Sequence, residues 1–188
     1  MFTQLLNFGQ TLMTKAVSVV VASDQPSIPI RVPLIEVGTQ IQRPADTPGA
    51  YSANSVISTS TTSPLVITFN SCDRINAGSG YIVKARLFTN SATAMLGTQV
   101  RLHLYHTSPA AINDHAQFTL LYANAANRVG YIDFPALTTA GTGSDSSMAL
   151  WTDAPLAFKC ASASTALYGI PEVRVVGAAP ATGQYFYF

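Results

Sequence analysis

The sequence is short of charge. Of its 188 residues, 10 are Lys or Arg and 9 are Asp or Glu, so charged residues make up 10% of the chain and its formal net charge is +1. Soluble domains typically carry about 25% charged residues, and mixed charge usually keeps their surfaces soluble. Ser, Thr, Asn and Gln cost far less to desolvate than ions do. We therefore expect a surface that neighbouring subunits cover.

Other scarcities exclude further classes of protein. The two cysteines, Cys72 and Cys160, are too few for a disulfide scaffold, so we interpret them as small buried hydrophobes, with a bridge between them as the alternative. No apolar run approaches the roughly 20 residues of a membrane span. Lys and Arg are dispersed, whereas phosphate binding needs them clustered. Lys84 and Arg86 alone are expected to share a strand face. The sequence predicts neither a membrane nor a nucleic-acid partner.

Catalytic signatures are missing as well. The three histidines are His103, His106 and His115, and the spacing of the first two puts them on opposite faces of a strand, where they cannot hold a metal together. The nine carboxylates are scattered and mostly lie beside turn residues. There is no nucleophile elbow and no phosphate loop. We predict no enzyme, no metal and no cofactor, while two carboxylates brought together from distant strands stay possible as a glycosidase pair.

Apolar and polar residues alternate from residue 56 onward, which is typical of strands. In 99–106 the alternation places Val100, Leu102 and Leu104 inward. Further strands are predicted at 65–69, 80–89, 117–122, 128–134, 147–152, 155–160, 165–176 and 184–188, with a helical turn at Ser108-Pro109 and a loop over 38–55. Nine or ten short strands separated by turns predict an all-β fold, a single β-sandwich of jelly-roll or related topology spanning 38–188.

The N-terminal residues 1–37 are predicted to form an extended arm. Pro29 and Pro33 cannot donate to a β-ladder, so the segment around them is an edge strand or lies across a surface. At the other end of the chain, Tyr185 and Tyr187 share one strand face and Phe186 and Phe188 share the other. The apolar residues that we expect to contact another subunit or the surface of a larger assembly are Phe2, Leu5, Leu6, Phe8, Leu12, Ile28, Ile30, Val32, Leu34, Tyr185 and Tyr187.

A series of segments resembles a known group of proteins. In order along the chain these are VSVVVASDQPSIPI at 17–30, AYSANSVI at 50–57, INAGSGYI at 75–82, RLHLY at 101–105, SPAAINDHA at 108–116, VGYIDF at 129–134 and ALYG at 166–169. Their order and spacing resemble tailed-bacteriophage virion structural proteins of the capsid decoration, or cement, type. The resemblance covers most of the chain from Val17 onward.

The resemblance implies a β-sandwich subunit, often trimeric, on the outer surface of the phage capsid. Its partners would be further copies of itself and the major capsid protein, which it would bind so as to bridge capsomers and stabilise the head. The alternative is a tail or baseplate receptor-binding or adaptor module of jelly-roll type. Exposed aromatic side chains would serve that role, and the candidates, each of which we interpret first as core or interface, are Tyr105, Tyr122, Tyr131 and Trp151.

Overall fold

The structure is a computed structural model that describes residues 34–45 and 49–188. The arm predicted from residues 1–37 lies almost entirely outside the described residues, and so do most of the expected contact residues, namely Phe2, Leu5, Leu6, Phe8, Leu12, Ile28, Ile30 and Val32. The fold described below belongs to the compact unit Ile35–Phe188.

This unit is nearly all β, with 36% of residues in strands and 3% in helix. The predicted all-β class is therefore confirmed. In chain order the elements are β1 (Gln40–Gln42), β2 (Ile67–Phe69), β3 (Ser79–Ile82), β4 (Ala85–Thr89), β5 (Gln99–Tyr105), α1 (Tyr122–Ala125), β6 (Arg128–Asp133), β7 (Thr138–Thr139), β8 (Ser147–Trp151), β9 (Leu156–Lys159), β10 (Leu167–Val175) and β11 (Tyr185–Tyr187).

The strands form three antiparallel sheets. A five-stranded sheet has the order β1-β11-β4-β8-β7, a four-stranded sheet has the order β2-β10-β5-β6, and β3 pairs with β9 alone. The two larger sheets share one apolar core, as expected for a β-sandwich. The antiparallel sheets agree with the predicted sandwich, and the jelly-roll topology stays a prediction.

The core is built from the inward residues of both large sheets. From the four-stranded sheet, β5 contributes Val100, Leu102 and Leu104, as the sequence pattern predicts. From the five-stranded sheet, β4 contributes Leu87 and β11 contributes Phe186, both without exposed surface. The two-residue period of a strand therefore decides which of its side chains face the core and which face water.

The predicted strand over 80–89 is wrong as a single element. The chain leaves β3 after Ile82 and enters β4 at Ala85, and these two strands belong to different sheets. Val83 and Lys84 lie between them, so Lys84 and Arg86 do not share a strand face. The alternation of apolar and polar residues continues through the break, because both strands bury alternate residues, and it therefore gives no sign of the change of sheet.

Other local predictions also differ from the structure. The segment 38–55, predicted as a loop, contains β1, and the predicted strand at 117–122 is reduced to one bridge between Gln117 and Ser55. Residues 108–113 form no helical turn. Ile112 and Phe118 pack instead against the outer face of the four-stranded sheet, so tertiary contacts override the local capping signal at Ser108.

Neighbouring aromatic residues on β11 provide a test of which face is buried. Replacing the fully buried Phe186 by Ala should lower the free energy of unfolding by about 3–5 kcal/mol, through lost burial and the cavity left behind. Tyr185→Ala, at the adjacent position on the exposed side, is the matched control and should cost less than about 1 kcal/mol in the monomeric protein. Urea denaturation measures both values, and equal losses would contradict the assigned faces.

Candidate functional site

The outer face of the five-stranded sheet, here called the aromatic face, contacts the segment before β1 at Glu36 and Gly38, and much of it stays exposed. Side chains that alternate with the buried residues of β1, β11, β4 and β8 point away from the core. The pairing register joins five of them into one row across the sheet, Gln40, Tyr187, Phe88, Met148 and Thr138. Tyr185 and Leu150 lie beside this row and are 37% exposed each.

The aromatic face carries one described ion pair and is otherwise neutral. Arg86 projects outward from β4, and its guanidinium Nη2 contacts the Glu36 carboxylate, which comes from the segment before β1. In the same segment, Gly38 leaves room for the Tyr187 ring, because a Cβ at residue 38 would overlap the Tyr187 hydroxyl. A molecule that covered this face would desolvate mainly rings, aliphatic groups and amides, which is cheap compared with desolvating ions.

Three of the expected contact residues lie within the described part. Tyr185 and Tyr187 share the aromatic face, Tyr187 being 43% exposed, while Phe186 and Phe188 are buried on the other side of β11. Leu34 is 82% exposed. The alternation predicted for the C-terminus is thus confirmed, and the role of these residues in binding stays a prediction.

The outer face of the four-stranded sheet differs, because part of it is covered. The segment 106–121 crosses it, and the Phe118 ring stacks on the His103 ring with 3.9 Å between centroids. A second apolar cluster, made of Val56, Tyr105 and Ile170, is buried beneath this segment. Of the four aromatic residues considered for receptor binding, Tyr105 is buried in this second cluster and Trp151 in the main core between the sheets, whereas Tyr122 is 96% exposed and Tyr131 is 45% exposed.

A charged network runs across this second face. Glu172 on β10 accepts hydrogen bonds from His103 Nε2 at 2.7 Å and from Arg174 Nη1 at 2.9 Å. Arg128 Nη2 lies 2.9 Å from the other ring nitrogen of His103, Nδ1. Because an arginine only donates, Nδ1 must be the acceptor, and the ring proton therefore sits on Nε2.

A second branch of the charged network lies at the edge of the same sheet. Arg101 donates to both carboxylate oxygens of Asp133, at 2.6 and 2.7 Å, and its Cζ lies 3.9 Å from the centroid of the Tyr131 ring. Besides the neutral His103, the charged network contains five of the fifteen charged residues that the structure describes. These are Arg101, Arg128, Asp133, Glu172 and Arg174. Charge that is scarce in the chain is concentrated here.

His103 is held neutral. Burial lowers the pKa of His103 to about 4, and this effect outweighs the hydrogen bond to Glu172, which acts in the opposite direction. The positive charge of Arg128 also disfavours protonation of the ring. The imidazole therefore serves as a fixed donor and acceptor between Glu172 and Arg128.

A third polar group fastens the segments around β1. Arg43 and Asp114 form an ion pair at 3.3 Å, and neither side chain has exposed surface. The Asp114 carboxylate also accepts hydrogen bonds at 2.8 Å from the Tyr51 hydroxyl and from the Ser58 backbone N–H. The His115 ring stacks on Tyr51 with 4.1 Å between centroids. This cluster joins the chain between Arg43 and Ser58 to the distant residues Asp114 and His115, and we interpret it as structural.

The described residues offer little for catalysis. Both nitrogens of the buried His103 are already hydrogen-bonded, so the ring has no lone pair free for a substrate. Among residues 34–45 and 49–188, no group of three or more His, Cys, Asp or Glu could hold a metal ion. A pocket lined by Val56, Ile112 and Ile170 has room for about one water molecule. No helix in this part of the chain is long and apolar enough to cross a membrane.

Both cysteines are free thiols. Cys160 is buried, and Cys72 is partly buried with its Sγ 3.2 Å from the Phe69 carbonyl oxygen, to which it donates. Burial raises the pKa of Cys72 to about 11 and also raises the pKa of Cys160. The interpretation of both residues as small core hydrophobes agrees with these positions, and the alternative of a bridge does not.

Sequence reasoning missed the partners of three carboxylates. Turn and capping roles are the general expectation for the carboxylates of this chain, whereas Asp114, Asp133 and Glu172 pair with residues 71, 32 and 69 positions away. No local pattern signals contacts over such separations. Asp73 does serve a turn, because its Oδ1 accepts from the backbone N–H of Ile75 at 3.2 Å.

The stability of the protein should fall as pH is lowered from about 6.5 towards 4. The unfolded chain protonates His103 near the ordinary histidine pKa of about 6.5, whereas the folded chain does so only near a pKa of about 4. In this window the unfolded state binds the extra proton, and each pH unit costs at most about 1.4 kcal/mol. Urea denaturation at several pH values gives the free energy of unfolding, and its slope against pH should be smaller for His103→Gln and unchanged for His106→Gln. An identical slope in both variants would contradict this role.

Breaking the buried ion pair should destabilise the fold strongly. Arg43→Met leaves the Asp114 carboxylate buried without its cation, at a cost of about 3–5 kcal/mol. Arg74→Met, at an exposed arginine with no described ion pair, is the matched control and should change stability by less than about 0.5 kcal/mol. Adding Asp114→Asn to Arg43→Met should recover part of the loss, because it removes the buried charge. Thermal unfolding of the four proteins compares them.

No known protein family matches this chain, no curated protein is significantly similar to it, and no solved structure matches it. What the protein binds must therefore be inferred from its own residues.

Proposed function

We propose that this protein is a structural subunit of a tailed-phage virion, a capsid decoration protein that lies on the outer capsid surface and bridges capsomers. The observation that carries the proposal is the aromatic face, a sheet surface of tyrosine, phenylalanine, methionine and leucine side chains on which Tyr185, Tyr187 and Leu150 stay more than a third exposed. That the assembly is a phage virion is proposed from the sequence segments that resemble virion proteins.

The composition of the aromatic face favours an interface. The centres of protein interfaces are enriched in aromatic residues and methionine and depleted of charged residues. The aromatic face has this composition, and its one described cation, Arg86, is compensated within the chain by Glu36. A partner would therefore need no charge of its own opposite this surface.

Two kinds of partner follow from a role on a shell, further copies of this chain in a homotrimer and the major capsid protein. In a closed ring every subunit buries the same two complementary patches, and the aromatic face would supply one of them. Each contact would add about 25 cal/mol of stabilisation for every Å² of apolar surface that it removes from water. Because a shell carries many copies, small gains per copy would add up to a stabilised head.

This role requires no catalysis. The buried ionisable residues His103 and Asp114 form hydrogen bonds with other segments of the chain and hold these segments together. In the proposed assembly these groups keep the outward faces rigid, and no metal or cofactor takes part.

The alternative is a receptor-binding or adaptor module of the tail or baseplate. The exposure of Tyr122 and Tyr131, in a chain that buries Tyr105 and Trp151, is the observation that favours it. The two roles differ in location, because a decoration protein binds isolated tailless capsids and a receptor-binding module binds host cells or their glycans.

A charge placed on the aromatic face should prevent assembly. Leu150→Lys introduces an ammonium group beside Arg86 in the middle of this face, and we expect at least a tenfold loss of self-association or capsid binding. Leu65→Lys, at an exposed leucine outside the face, is the matched control and should bind like the unchanged protein. Sedimentation of the protein alone and with tailless capsids measures both. Normal binding by Leu150→Lys would contradict a role for the face.

The capsid role itself is tested on particles. Virions assembled without this protein should lose their genome at a lower temperature than complete virions, and adding the purified protein back should restore heat resistance. Electron microscopy of the same particles would locate it. Unchanged heat resistance together with density at the tail would replace the decoration role with the receptor-binding alternative.

A further inference from the structure

We propose that Arg128 and Tyr131 form a binding site for a sugar carboxylate, such as that of a uronic acid in an acidic polysaccharide. The site lies at the exposed end of the charged network, on the sheet opposite the aromatic face. It is a further binding function and does not depend on how the protein assembles.

Arg128 is the arginine of the charged network that lacks a counter-ion. Arg101 is neutralised by both oxygens of Asp133, and Arg174 by Glu172. Among the described residues, Arg128 has no carboxylate within ion-pair distance, and its one hydrogen-bond acceptor is Nδ1 of the neutral His103, at 2.9 Å. Three arginines face two carboxylates in the charged network, and the excess positive charge resides on Arg128.

The guanidinium of Arg128 is held in position without being neutralised. Glu172 fixes the orientation of His103 through a 2.7 Å hydrogen bond, and Phe118 stacks on the ring with 4° between the two planes. His103 in turn presents Nδ1 to Arg128. Such preorganisation lowers the entropy cost of binding, because the cation need not be ordered by its ligand.

Arg128 has hydrogen-bond donors to spare. Its Nε is buried and makes no hydrogen bond, so a ligand that arrives from solvent cannot reach this donor. Its Nη1 makes no hydrogen bond within the described residues and is open to solvent. Hydrogen bonds from a guanidinium to a carboxylate are charge-assisted and strong, so an arriving anion can use the Nη1 donors that the fold leaves unused.

The surroundings favour a sugar over an acidic peptide. The Tyr131 ring centroid lies 5.3 Å from Arg128 Cζ. Arg101 already stacks on this ring at 3.9 Å, and the 45% of Tyr131 that stays exposed is the apolar surface left for a ligand. Asp133, although paired with Arg101, is exposed nearby and has further lone pairs that can accept hydrogen bonds from hydroxyl groups. A sugar ring with one carboxylate and several hydroxyls therefore matches one cation without a counter-ion, one partly exposed ring and one acceptor.

Calorimetric titration with a galacturonic acid oligomer tests the proposal, with a galactose oligomer of equal length as the neutral ligand. We expect the acidic oligomer to bind at least tenfold more tightly than the neutral one. Arg128→Gln should lower that affinity at least tenfold, and Tyr131→Ser should weaken it. Arg74→Gln, at an exposed arginine outside the charged network, should leave the affinity for the acidic oligomer unchanged. Arg128→Lys keeps the charge and loses the guanidinium donors, so its affinity should lie between those of the unchanged protein and Arg128→Gln.

Each other outcome overturns the proposal. Equal binding of the two oligomers, no binding of either, or equal binding by Arg128→Gln and Arg74→Gln would show that Arg128 does not select a sugar carboxylate. Tighter binding of a glutamate oligomer would assign the site to a protein partner instead. Circular dichroism melting confirms that each variant is folded, and if Arg128→Gln is not, Arg128→Lys and Tyr131→Ser carry the test. None of these results changes the expectations for Leu150→Lys, so the two proposals fail separately.

Discussion

The two-residue period of the strands is the constraint on which the rest of this structure depends. The strands of the two larger sheets other than β7 give inward side chains to a single apolar core, for instance Leu102 on β5 and Leu87 on β4. The residues between them are forced outward, whatever their chemistry. The composition of the outer faces is therefore available for function, and the two faces are used in different ways.

One outer face is almost free of charge and the other holds a third of the described ionic residues. On the aromatic face, Tyr187 and Phe88 are neighbours across the sheet, Tyr187 being exposed and Phe88 partly buried. On the opposite face, the hydrogen bonds between Glu172, His103 and Arg128 join three strands. In a chain with so few charges, this asymmetry separates a surface suited to burial from one suited to contact with a polar ligand.

The all-β class and the inward residues of β5 could be read from the sequence, because alternation is a local signal. The faces of β11 were equally readable, since Tyr185 and Phe186 differ in polarity at adjacent positions. The break between β3 and β4 was not, because the pattern is the same in both sheets. Nor could the partners of Asp114 and Glu172 be found, since they come from residues far away in the chain. Contacts across the fold leave no periodic trace.

The position of Arg43 has a mechanical consequence. β1 is an edge strand of three residues, paired only with β11, and Arg43 follows it directly with its side chain locked onto Asp114. The backbone N–H of Arg43 also donates to the Gln184 carbonyl at 3.0 Å. A pulling force applied to the chain ahead of β1 would therefore load the short β1–β11 ladder first and the ion pair between Arg43 and Asp114 next. The cluster around Arg43 is the anchor that would keep the sandwich closed under such a load.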